Sequence, residues 1–97
     1  MIERHVTFNV IPGKEKDFES LFKTEYGPAM SKQPGFVSVT LLKEQEKEAV
    51  YQMVICFQSL ETAAAWRDST DHKVLSPKIK VFYTGSTVQV YSLIAQR

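Results

Sequence analysis

Several things are scarce in this chain of 97 residues, and each scarcity removes a class of function. There is one cysteine, Cys56, so no intrachain disulfide can form and no disulfide framework is expected. With only two histidines, His5 and His72, far from each other and from that cysteine, no zinc spacing can be drawn. No Gly-rich phosphate loop, nucleophile elbow or Walker pattern occurs. No apolar run approaches the roughly 20 residues that span a bilayer, and Met1-Ile2-Glu3-Arg4-His5 leads into strand-like alternation without the pattern of a signal peptide. A cytoplasmic protein without a membrane anchor is the expectation. Charge of one sign is lacking too: 12 basic and 11 acidic residues leave a net +1, and the lysines are scattered among glutamates. Nucleic acid is therefore not the expected partner, since binding it needs a clustered cationic face.

What is present is an average globular composition, 43% hydrophobic and 24% charged, which should fold as one domain over 1–97. From Arg4 to Ile11, Val6, Phe8 and Val10 alternate with His5, Thr7 and Asn9, the period of a strand with one apolar face. Arg4 shares the Val6 and Phe8 face; His5 takes the opposite one. Pro12-Gly13 stops the strand. Phe18, Leu21, Phe22 and Tyr26 then mark one stripe of a helix, which Gly27-Pro28 should break or bend. Phe36 to Leu42 and Val50 to Phe57 form an antiparallel hairpin around the charged connection Lys43 to Glu48.

Ser59 can cap a second helix carrying Leu60, Ala63, Ala64 and Trp66. Ser69 or Thr70 can cap a further turn with His72, Val74 and Leu75, and Ser76-Pro77 looks like another start. Tyr83-Thr84-Gly85 should close the helical region before a last strand from Thr87 to Ile94. The order βαββαβ is that of a ferredoxin-like α+β fold, a four-stranded antiparallel sheet with helices on one face. Val50 to Phe57 is apolar on both alternating sets, and a second copy of the sheet is the economical cover for the face the helices leave open. A homodimer is expected.

Ile11-Pro12-Gly13-Lys14-Glu15, then Phe18 and Phe22, then Gln33-Pro34-Gly35-Phe36, then Trp66 followed by Ser69 and His72, resembles the antibiotic-biosynthesis monooxygenase domain family over nearly the whole chain. The resemblance implies a dimeric α+β barrel, and it includes small oxygenases that oxidise quinols or polycyclic phenols without metal or flavin, as well as relatives that bind and degrade haem. For this chain it implies a cofactor-independent monooxygenase acting on a quinol or phenolic molecule. Trp66 would wall the pocket and His72 would take the proton of a phenol, a role suited to imidazole. Arg4, Phe22, Tyr26 and Tyr83 complete the expected contacts to substrate, with no metal and no cofactor.

Plainer readings stand beside these: Trp66 as core, His72 as a helix-end residue, Arg4 in a strand-end salt bridge, Tyr26, Tyr51 and Tyr83 as core edges, and Cys56 as a buried hydrophobe. Haem-degrading relatives carry a histidine where this chain has Ser76 and a strand-one asparagine where it has Val6. A non-catalytic small-molecule-binding domain is the rival from another class.

Overall fold

In a computed structural model that describes all residues from Met1 to Arg97, the strand β1 (Ile2–Val10) lies inside the sheet, with an antiparallel neighbour on each side. With β2 (Phe36–Lys43), β3 (Val50–Phe57) and β4 (Tyr83–Ser92), the spatial order is β2-β3-β1-β4. This is the ferredoxin-like α+β order, with β2 and β4 at the edges.

The period-two pattern of β1 sends Ile2, Val6, Phe8 and Val10 into the core, where they share a face with Tyr51, Met53, Ile55 and Phe57 of β3. The helices bury Phe18, Leu21, Tyr26, Met30, Ala63, Trp66, Leu75 and Ile79 against that face. Phe8 meets Phe18 and Tyr83 at centroid distances of 5.2 and 4.9 Å, and Phe18 meets Tyr51 at 5.1 Å. Each fully buried side chain of this size contributes about 1.5–3 kcal/mol through removal from water. The opposite face carries Glu3, His5, Thr7 and Asn9 from β1, with His5 paired to Glu3 at 2.8 Å and its ring tilted against that of Tyr91 at a centroid distance of 4.7 Å. It is therefore more polar than β3 alone suggests, although Val54 and Cys56 lie on it.

β4 ends at Ser92 rather than at Ile94, and three further boundaries differ from the sequence expectation. The first helical region does not break at Gly27-Pro28: α1 (Glu15–Leu21) passes through a π-helical turn, Phe22–Tyr26, into α2 (Gly27–Ser31). Pro28 has no N–H to continue the α ladder; the wider turn instead lets the Gly27 N–H donate to the Phe22 carbonyl. A Cβ on Gly27 would lie 3.0 Å from that oxygen, so a side chain there would crowd the turn.

Second, Ser76-Pro77 does not begin another helix. After α3 (Leu60–Asp68), capped by a reciprocal Ser59–Thr62 box, α4 runs unbroken over Thr70–Lys80 with Pro77 inside it. Burial of Leu75 and Ile79 on either side of Pro77 holds the helix together despite the missing donor. Third, Tyr83-Thr84-Gly85 is already strand. Pairing of Tyr83 with Val10 and Gly85 with Asn9, across a bulge, brings the start of β4 forward from Thr87.

Gly35 secures the entry to β2. Its φ is +78°, and an added Cβ would fall 2.5 Å from the Thr62 side chain on α3. Only glycine allows that turn and that close approach together.

Candidate active site

Between the helices and the β1–β4 side of the sheet is a cavity of about 250 Å³. β1 supplies Arg4, Val6 and Phe8; β3 supplies Met53 and Ile55; the π turn supplies Tyr26; α3 and α4 supply Trp66 and His72. Tyr83 and Val88 of β4 close one side. Arg4, Tyr26, Trp66, His72 and Tyr83, separated by up to 79 positions in sequence, thus surround one space. Phe22 does not join them. It borders a surface groove with Leu41, Lys43 and Tyr51 instead, which corrects the expectation that it lines the same space as Tyr26.

Trp66 is 1% exposed and Tyr26 8% exposed. The Trp66 ring stands edge-on to Tyr26 at 5.6 Å and to His72 at 5.1 Å, and Tyr26 and His72 are 6.3 Å apart. Trp66 is thus both core and cavity wall, because a side chain this large can pack with one edge and present another. The segment between the helices sets this cluster. Ser69 follows α3 and precedes α4; its Oγ donates to the Trp66 carbonyl at 2.6 Å and accepts the His72 N–H at 3.1 Å. One hydroxyl ends the helix of Trp66 and begins that of His72.

The electrostatics are those of a cationic pocket. Arg4, Arg67 and Lys80 all line it, and no aspartate or glutamate does. Burial, and then the charges of Arg4, Arg67 and Lys80, hold the His72 imidazole below its usual 6.5, with Asp68 opposing. His72 is therefore a neutral ring at neutral pH, able to accept a proton. Burial also lowers the Arg4 pKa, helped by Arg67 and opposed by Tyr26. The Tyr26 phenol is pushed up to about 12, mainly by burial and then by Tyr83, against the pull of Arg4. It remains protonated and can donate. Of the four tyrosines, Tyr51 and Tyr91 engage Glu19 and Gln89, whereas the hydroxyls of Tyr26 and Tyr83 have no partner in the chain.

Arg67 and Lys80 escaped the sequence reading. A signal for Lys80 was present: His72, Ser76 and Lys80 recur at i, i+4 and i+8, one stripe of α4. Arg67 had none, being a surface-type residue beside a tryptophan. His5 lies on the opposite sheet face. Cys56 is buried, with its Sγ 3.9 Å from the Met1 sulfur and its pKa raised by burial, then by Glu3, so it is no activated nucleophile. No three His, Cys, Asp or Glu side chains converge as metal ligands, and no helix is long and apolar enough to cross a membrane.

Residues 1–77 match the sequence profile of the antibiotic biosynthesis monooxygenase family. No curated protein matches the chain. Among solved structures, a variant of SnoaB, a cofactor-independent oxygenase from Streptomyces nogalater, superposes with a TM-score of 0.88 at 21% identity, covering 98% of this chain and 94% of its own. A conserved protein from Methanosarcina mazei gives 0.83 at 18% identity, over 93% of this chain and 89% of its own. A variant of MhuD, with two manganese protoporphyrin IX molecules bound per active site, gives 0.84 at 19% identity, over 100% and 98%. At these identities the likeness to the solved structures is one of fold.

Proposed function

This chain belongs to the antibiotic biosynthesis monooxygenase family, and from that premise we propose that it is a cofactor-independent monooxygenase acting on a quinol or phenolic aromatic held in the Trp66–His72 cavity. The observation that carries the reading is a neutral imidazole set against a tryptophan wall and beside unpaired cations. In this reading His72 accepts a proton from the bound substrate as general base. Arg4 and the Tyr26 hydroxyl stabilise the anion that forms, and Trp66 and Tyr83 enclose its rings. The electron-rich anion then reduces dioxygen itself. For a ring CH2 group the balance is CH2 + O2 → C=O + H2O: one oxygen atom enters the substrate, the other leaves as water, and the substrate supplies every electron.

The likeness to SnoaB supports this chemistry. Haem chemistry, suggested by the likeness to MhuD, fits this chain poorly. The cavity, at about 250 Å³, is small beside the roughly 300–1,000 Å³ of pockets for drug-sized ligands. Ser76 also borders the cavity at the position where the resemblance to haem-degrading relatives calls for a histidine.

In the same proposal the working form is a homodimer in a reducing compartment. The open sheet face offers Val54 and Tyr91 for burial against a second copy, as the family likeness supports.

Oxygen uptake by the purified protein, with a panel of quinols and anthrone-like phenols and no added metal or flavin, tests the reading. Uptake that falls at least about tenfold in His72→Ala, as loss of a general base requires, is the expected result. Ligand binding without oxygen uptake across the panel would instead make this a non-catalytic binding domain.

A further inference from the structure

Arg4, Arg67 and Lys80 project to one cavity from β1, α3 and α4, and none has a carboxylate within ion-pair distance. The molecule's two ion pairs, His5–Glu3 and Lys78–Glu25, lie elsewhere. Three cations converging on an aromatic-walled space repel one another, and Asp68, whose charge acts on His72 from α3, forms an ion pair with none of them. Arg4 is deep and half-buried, whereas Arg67 and Lys80 are exposed at the mouth. A phenolate formed beside His72 would satisfy one positive charge. It leaves the two at the mouth unanswered.

We propose that the natural ligand is an aromatic acid, a phenolic ring system bearing a separate carboxylate that Arg67 and Lys80 hold at the mouth while the ring enters between Trp66 and Tyr83. This rests on the reading of the cavity as the substrate site and adds the class of substrate it selects. Arg67 offers a planar donor fork matched to a carboxylate, and Lys80 a mobile point charge. The anchor also fixes orientation: a carboxylate at the mouth sends the hydroxyl-bearing end of the ring inward, toward His72 and Arg4. Arg67 and Lys80 are thus positioning and specificity residues, and they act on binding without touching the reacting atoms.

Isothermal titration at neutral pH with naphthol and with hydroxynaphthoate, its ring carboxylate, separates the possibilities. The acid should bind at least about tenfold more tightly than the neutral phenol, the scale of one hydrogen-bonded charge pair, and its affinity should fall with added salt. In Arg67→Gln/Lys80→Gln the preference should shrink to threefold or less, by about the same reasoning, while naphthol affinity stays within about twofold. Equal affinity for the two probes in the unaltered protein, or a preference that survives the double substitution, overturns this inference and leaves the monooxygenase reading intact. If neither probe binds, the cavity is not an aromatic site and both readings fail. Because both side chains are exposed on helices, the double variant should fold, and an unchanged far-ultraviolet circular dichroism spectrum checks this.

Discussion

Ser69→Ala should be costly out of proportion to its size, because one hydroxyl serves two helices. Its Oγ accepts the His72 N–H at 3.1 Å, the N-cap bond of α4, and donates to the Trp66 carbonyl at 2.6 Å, near the end of α3. Losing a serine N-cap costs about 1 kcal/mol; losing the second bond adds about 0.5–1.5 kcal/mol. The sum is about 2 kcal/mol, which at about 4–8 °C per kcal/mol for a domain of this length lowers Tm by roughly 10 °C. The same bonds hold the Trp66 and His72 rings 5.1 Å apart. A shift of the α3–α4 junction by even a fraction of an ångström should therefore lower turnover about tenfold or more, with a smaller effect on KM. Ser69→Thr keeps both the donor and the acceptor and should restore Tm and turnover. Scanning calorimetry and oxygen uptake read the two effects. If Ser69→Ala melts within about 2 °C of the parent, well inside the shift calculated above, water replaces the hydroxyl and the junction is not held as described.

The remaining predictions concern pH, backbone and assembly. His72 has a folded-state pKa below 6.5, so the unfolded chain takes up the proton first as pH falls; the native state should lose stability progressively below 6.5, and above it the imidazole contributes no pH dependence. His72→Gln should flatten that acid limb in urea melts, and an unchanged slope would refute the depression of His72 by burial and by Arg4, Arg67 and Lys80, against Asp68, with Tyr26 facing it as a neutral phenol. Gly35→Ala, at φ +78° and with its Cβ 2.5 Å from Thr62, should destabilise by about 1–3 kcal/mol; a chemical melt coincident with the parent's would sink the close-approach argument. The parent should sediment at twice the 11.1 kDa chain mass, and Val54→Glu, on the open sheet face, should shift it toward the monomer with its helix content kept. Dimers that persist in Val54→Glu at micromolar concentration would move the interface elsewhere.

Legibility from the sequence was uneven for physical reasons. The strands and the stripes of Phe18, Leu21, Trp66 and Leu75 could be read because side-chain periodicity is local. The π turn could not be read in the same way. Gly27-Pro28 breaks most helices, and whether one widens instead depends on what the helix packs against on both sides of the proline. Nor does spacing tell that Tyr26 enters the cavity while Phe22, four residues earlier, does not. Pro77 was misread for a similar reason, since the burial of Leu75 and Ile79 that carries α4 through it is tertiary.

By itself, the sequence determined the βαββαβ order, the apolar face of β1 and the lone thiol, because these depend on residue type and short-range spacing; Trp66 and His72 were singled out only through the family resemblance. Only the tertiary structure decided that Arg4, Arg67 and Lys80 meet around Trp66 with no acid among them. Charges from a strand and two helices are independent along the chain, and they become one electrostatic site only when β1 is set between β3 and β4 and α3 and α4 close over it.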